Sequence, residues 1–174
     1  MFLAIFKDKL HEKYFQQIIK QIETPITLDT QHLHFSKFEI TFNQKEMNLR
    51  SKDKTIKISL PLTLKSFQAA LMKILSEYKI IFQNAFYYPI NHCVFFDGKK
   101  IVLGEIHNQI LCQLILNKNL GIDKFDLYQK IWPNDKDIQI NKLETHLTNF
   151  RNNLFSNLKF KIQFSSYKGL IKLN

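Results

Sequence analysis

Apolar residues recur at steps of three and four through Ile140, Leu143, Leu147, Phe150 and Leu154, which stacks them along one side of a helix over residues 138–155. The opposite side carries Asn141, Thr145, Thr148, Asn149 and Asn152, with Lys142 and Arg151 at its edges. These are short hydrogen-bonding side chains, not the Glu/Lys pairs that decorate a helix merely facing water. An apolar back with a front of amides, hydroxyls and flanking cations suits a DNA major groove, where Asn bonds adenine edges bidentately, and on this stretch alone an ordinary amphipathic helix of an Asn-rich chain is the alternative reading.

Ahead of this helix the pattern alternates between strands and helices. Residues 1–6 form an apolar run that predicts a first strand. Asp8 is placed to cap a helix carrying Leu10, Tyr14, Phe15, Ile18, Ile19 and Ile22 and ending near Thr24-Pro25. Residues 33–42 alternate in two phases, which predicts a bulge or turn near Ser36-Lys37. The polar run 43–54 reads as a loop. Ile56, Ile58 and Leu60 read as a strand closed by Pro61, and Thr63 as the cap of a helix with Leu64, Phe67, Leu71, Ile74, Leu75 and Tyr78 inward.

Residues 79–89 turn aromatic and extended, and a domain boundary is expected inside them. Asp97-Gly98-Lys99 between two apolar runs signals a hairpin. Two helices follow. Gly104 opens the first, with Ile106, Ile110, Leu111, Leu114 and Ile115 inward, and it stops at Asn119-Leu120-Gly121. Asp123 caps the second, with Phe125, Leu127, Tyr128 and Ile131 inward, and Trp132-Pro133 ends it. After the 138–155 helix, Phe160, Ile162 and Phe164 alternate with polar residues, 165–169 turn, and 170–173 return as a strand. Strands, three helices and a terminal hairpin is the order of a winged helix-turn-helix, with the third helix as reader and the hairpin as wing.

Composition narrows the function classes. With 174 residues and 45% apolar content, one ordinary domain or two small ones can build a core. Only Gly98, Gly104, Gly121 and Gly169 occur as glycines, so no phosphate-binding loop or dinucleotide fingerprint can be written. Cys93 and Cys112 lie in unrelated contexts, which offers neither a disulfide framework nor a zinc ribbon. His32 and His34, with His92-Cys93, match no spaced zinc tetrad. The expectation is therefore a non-enzyme with no metal and no cofactor. No apolar run reaches the length of a membrane span, and the first residues reverse the order of a secretion signal, so a cytoplasmic protein is expected. The net charge of +10 favours a polyanionic partner. Residues 1–88 hold 13 basic and 8 acidic side chains and 89–174 hold 12 and 7, so charge does not single out the reader.

The second half resembles the OmpR/PhoB-type effector domain of response regulators. That family's "LT..E..LL..L", "L...vW", "vd.hI..LRkKL" and "i.Tv.g.GY.l" segments are matched here by LGEIHNQILCQLIL, FDLYQKIW, LETHLTNFRNNL and IQFSSYKGLIKL. In the third match, Val-Asp-Val-His-Ile-x-x-Leu-Arg becomes Leu143 to Arg151, with His146 at the histidine. His107 stands where the family has Glu, and Asn108 where it has a core aromatic. The first half resembles a receiver domain at its first strand and helix and at its last, ISLPLTLKSFQAALMKILSEY. It carries Lys7-Asp8 where receivers have an acidic pair for Mg²⁺. It also has Leu60 in place of the lysine before proline, and Asp53 follows no apolar strand.

The resemblance implies an α/β, shortened, flavodoxin-like pseudo-receiver over 1–80, a linker over 81–88, and an α+β winged helix-turn-helix DNA-binding domain over 89–174. It implies a transcriptional regulator of the atypical response-regulator type in a two-component setting, not switched by aspartyl phosphorylation. Double-stranded DNA is the expected partner, with contact to RNA polymerase and a homodimer through 1–80. The residues expected at DNA are Asn141, Lys142, Thr145, Thr148, Asn149, Arg151, Asn152, Ser166 and Lys168. The family commonly has arginine at the positions of Asn141, Thr148 and Asn149, which weakens the phosphate term. The alternative is a protein-interaction adaptor whose winged helix no longer binds DNA.

Overall fold

The computed structural model describes residues 2–21, 26–27, 34–52 and 54–174, in two compact units, Met1–Tyr78 and Lys79–Asn174. In the first unit, β1 (Phe2–Phe6), α1 (Lys9–Gln21), β2 (Ile26–Thr27), β3 (Ser36–Phe42), β4 (Glu46–Arg50), β5 (Thr55–Ser59) and α2 (Leu64–Ser76) follow in order. The strands make one sheet, β2-β1-β3-β4-β5. β1 runs parallel to both β2 and β3, whereas β3, β4 and β5 form an antiparallel meander.

This corrects the flavodoxin-like expectation. A doubly wound fold needs parallel strands buried on both faces, which read as continuous apolar runs. Here the register aligns Ala4 with Phe38, Ile40 with Leu49, and Met47 with both Phe42 and Ile58 on one face. Glu39 opposite Arg50 and Asn48 opposite Lys57 lie on the other. Phe15 of α1 meets Phe67 of α2 at 5.1 Å, so both helices share the apolar face. Alternation in the strands is the signature of this one-sided burial.

Residues 43–54, expected as a loop, contain β4, whose Met47 and Leu49 are fully buried. Two apolar positions in a polar run gave too weak a period to register. The two-phase reading of 33–42 also changes, because β3 begins only at Ser36. Phe35, half-buried, still packs edge-on against the core residue Phe2, while its carbonyl accepts the Tyr78 hydroxyl at 2.7 Å. The expected end of α1 near Thr24-Pro25 lies outside the described residues. At α2, Thr63 and Ser66 form the reciprocal capping box. Leu64, expected inward, is 49% exposed.

The second unit comprises β6 (Ile80–Phe82), β7 (Ala85–Tyr88), β8 (Cys93–Phe96), β9 (Lys99–Val102), α3 (Glu105–Leu116), β10 (Ile122–Asp123), α4 (Lys124–Ile131), α5 (Ile140–Leu158), β11 (Phe164–Tyr167) and β12 (Leu170–Leu173). Residues 81–88, expected as a linker, are instead two strands of the antiparallel sheet β6-β7-β8-β9. Their turn, Gln83-Asn84, has φ of 44° and 68°. It carries no glycine to mark it. A second sheet, β10-β12-β11, joins the segment between α3 and α4 to the terminal hairpin. Three helices closed by such a hairpin make a winged helix-turn-helix arrangement.

Candidate nucleic-acid interface

Leu143, Leu147, Phe150, Leu154 and Leu158 form the buried stripe of α5. Across it runs an aromatic row: Trp132 lies 5.3 Å from His146, His146 6.0 Å from His107, and His107 5.3 Å from Phe150. The row joins the end of α4 and the first turn of α3 to the middle of α5. An ion pair between Lys124 and Glu144 ties α4 to α5 again. The helix ends at Lys159, whose left-handed φ of 58° lets its amide bond the Phe155 carbonyl.

With the back fixed in this way, α5 turns the side chains of Asn141, Thr148, Asn149 and Asn152 outward, exposed and without a side-chain hydrogen bond among the described residues. Thr145 is also exposed, but its hydroxyl donates to the Asn141 carbonyl at 2.8 Å. The two cations beside this face are committed within the protein. Lys142 donates to Asp135 at 2.9 Å and lies 4.4 Å above the Trp132 ring. That hydrogen bond holds the Lys142 ammonium above, and the Asp135 carboxyl below, their ordinary pKa values. Arg151 donates to the Phe164 carbonyl at 2.9 Å, with its guanidinium 3.8 Å over the Phe164 ring. It pins α5 to β11.

On the wing, Ser166 and Lys168 are exposed, Lys168 at the hairpin turn with φ of 47°. The sequence reading missed Tyr167, which is 71% exposed beside them. It also missed Phe155, 52% exposed on the face that carries Thr148 and Asn152. Phe155 borders a cavity of about 620 Å³ whose other walls include Arg151, Asn152, Lys161 and Phe164. The spacing from Asn141 through Thr148 to Phe155, seven residues at each step, was the available signal for this residue.

His107 sets a pH dependence for this seat. Burial, and secondarily the neighbouring His146, hold its pKa below the ordinary histidine value of about 6.5. The folded unit therefore binds this proton less well than the unfolded chain does. The stabilisation is fully present above about pH 6.5 and is lost as pH falls through the depressed folded value. Thermal melts followed by fluorescence of Trp132, the chain's one tryptophan, should fall in midpoint between pH 7 and pH 5. His107→Gln should flatten that slope, and an unchanged slope would remove His107 as its source.

In the first unit, the acidic position after β1 is occupied by side chains with other partners. Lys7 pairs with Glu39 at 3.6 Å, and Asp8 bonds His11 at 2.7 Å. Asp53 and His32 lie outside the described residues. His34 Nδ1 is buried without a hydrogen-bond partner among the described residues, and His92 sits 3.5 Å from Glu105. No cluster of three or more His, Cys, Asp or Glu side chains that could hold a metal occurs among the described residues. Nor is any described helix long and apolar enough to cross a membrane.

No protein-family model matches the chain, and no curated protein sequence matches it. Among solved structures, the DNA-binding domain of E. coli CadC is similar at 13% identity and a TM-score of 0.46, over 52% of this chain and 86% of that one. The C-terminal domain of the nisin resistance regulator NsrR, a lantibiotic response regulator, is 21% identical with a TM-score of 0.39, over 55% and 89%. A streptococcal redox sensor described as evolved from two-component response regulators is 12% identical with a TM-score of 0.44. That likeness covers 99% of this chain and 66% of that one. Identities and superpositions this low leave what those proteins bind as a property of theirs, and the function of this chain has to be read from its own surface.

Proposed function

We propose that the second unit binds double-stranded DNA, with α5 in the major groove and the β11–β12 hairpin beside it, and that the protein is a non-catalytic transcriptional regulator. The observation that carries this reading is the exposed face Asn141, Thr148, Asn149 and Asn152, whose side-chain amides and hydroxyl have no partner among the described residues. Asn amides match adenine edges, and Lys168 at the wing tip supplies a cation for phosphate. No side chain caps the N-terminus of α5, and with the Lys142 and Leu143 amides taken by the Gln139 carbonyl, the Ile140 and Asn141 amides are left to meet a phosphate.

The first unit would regulate without aspartyl phosphorylation, since Lys7 and Asp8 are engaged with Glu39 and His11. A homodimer through residues 1–80 would address two half-sites about one helical turn apart. Contact with RNA polymerase and a place in the cytoplasm belong to the same proposal.

Because Lys142 and Arg151 are already paired, the salt dependence should be shallow, with a slope of about −1 to −3 in log K against log salt. Fluorescence anisotropy on AT-rich and random duplexes should show micromolar binding. Asn149→Ala with Lys168→Ala should weaken it about tenfold and reduce the slope by about one unit. Absence of salt-sensitive binding at micromolar protein would sink the DNA reading. A second reading, docking of a protein partner, is favoured by Phe155, an exposed aromatic anchor bordering the 620 Å³ cavity. On that reading Phe155→Ala would abolish partner binding, whereas Asn149→Ala would not.

A further inference from the structure

We propose that the first unit binds a small, planar, weakly polar aromatic molecule in a cavity at the carboxyl ends of β1, β3 and β5. The inference is independent of whether α5 reads DNA. β3 is parallel to β1 and, through the antiparallel β4, to β5, so all three strands end on the same side of the sheet. The chain leaves β1 toward β2 on one side and β3 toward β4 on the other, so the strand order reverses between β1 and β3. Open α/β sheets bind ligands outside such carboxyl ends, where the strand order reverses.

The space there measures about 280 Å³, close to the lower end of ligand sites and larger than a cavity that admits benzene. Its walls are aromatic and already set. His11 stacks flat on Phe42, with centroids 4.3 Å apart and planes 9° apart, and Asp8 fixes the imidazole through Nδ1 at 2.7 Å. Phe15 leans on Phe42 at 5.2 Å and on Phe67 at 5.1 Å, closing the base. Leu60 and Leu64, both among the exposed large apolar residues of the chain, form the rim.

Few polar groups face the space. Thr63 lines it, but its hydroxyl is occupied by the capping box with Ser66, which leaves the His11 ring as the side chain able to meet one ligand heteroatom. The ring faces at this cleft, the His11–Phe42 stack with Phe15 and Phe67 tilted against it, favour a rigid aromatic guest over a flexible chain, because such a guest makes face and edge contacts with them and loses no torsional freedom.

The test uses the full-length chain with indole as probe and octanoate as the flexible apolar comparison, read by isothermal titration calorimetry. Indole should bind with a dissociation constant on the order of 100 µM, and octanoate at least tenfold more weakly. Leu64→Trp places a ring over the rim from an exposed position and should cut indole affinity more than tenfold while leaving the melting midpoint in place. His11→Ala, which removes one wall, should weaken it about threefold to tenfold and serves if the tryptophan variant does not fold. No heat from indole at about 1 mM would overturn the proposal. So would octanoate binding as tightly as indole, or indole binding that both variants leave unchanged.

Discussion

Phe150→Ala should unfold much of the second unit's stability in one step. The side chain is fully buried, lies at the end of the aromatic row, and packs where α5 crosses the first turn of α3. Truncating a buried phenylalanine costs about 3–5 kcal/mol, part lost transfer energy and part the cavity left behind. Domains of this size are stable by only about 5–15 kcal/mol, so a third or more of the total is at stake. A melting midpoint lower by on the order of 20 °C is expected. Trp132 is the chain's one tryptophan and touches His146 in the same row, so its fluorescence reports this unit alone. A shift below about 5 °C would mean that α5 is held by something other than this row. Phe150→Leu keeps most of the volume and should lose far less, which separates packing from any aromatic effect.

Asn108→Ala is expected to be nearly as damaging, through a different cause. Asn108 is the one buried polar residue among the described residues, and its side chain joins α3 to β7 and to the residue that follows it. Its Oδ1 accepts the Tyr87 hydroxyl at 2.6 Å, and its Nδ2 donates to the Pro89 carbonyl at 3.3 Å. The same Tyr87 hydroxyl lies 2.8 Å from the Cys112 sulfur. Burial pushes the Tyr87 phenol far above its ordinary pKa, so it stays a neutral donor at every accessible pH. Removing the amide strands a carbonyl and weakens the hydroxyl's pairing, which together cost about 2–4 kcal/mol. Tyr87→Phe should cost about 1–2 kcal/mol, and the double variant less than the sum by about 1 kcal/mol or more. Additive losses in chemical denaturation would show that the hydroxyl and the amide do not act together.

Local patterns carried much of this architecture, and long-range partners carried the rest. The stripe from Leu143 to Leu154, the Thr63 cap and the Asp97-Gly98 hairpin are visible because each is written within a few residues. β4 is hidden, because Met47 and Leu49 are only two apolar positions and their burial depends on β3 and β5 bringing Ile40 and Ile58 alongside. At the candidate site, the outward face of α5 could be read from periodicity, but the fate of its cations could not. Lys142 meets Asp135, and Arg151 meets Phe164, thirteen residues on. No spacing rule joins those pairs. Asn108 stands out as polar at a position where a core aromatic is common, yet its partner Tyr87 lies in the segment 81–88 that reads as a linker.

The left-handed turns carry a further meaning. Gln83, Asn84, His92, Asp97, Lys159 and Lys168 all hold φ between 44° and 68°, in a chain with four glycines among 174 residues. A side chain in that region costs about 1–2 kcal/mol unless it is Asn or Asp, which tolerate it better. Strain is thus distributed over exposed and half-buried turns, away from the packed interior. A lineage drifting toward richer glycine content would gain heat resistance first at these bends, with the core and the exposed face of α5 left as they are.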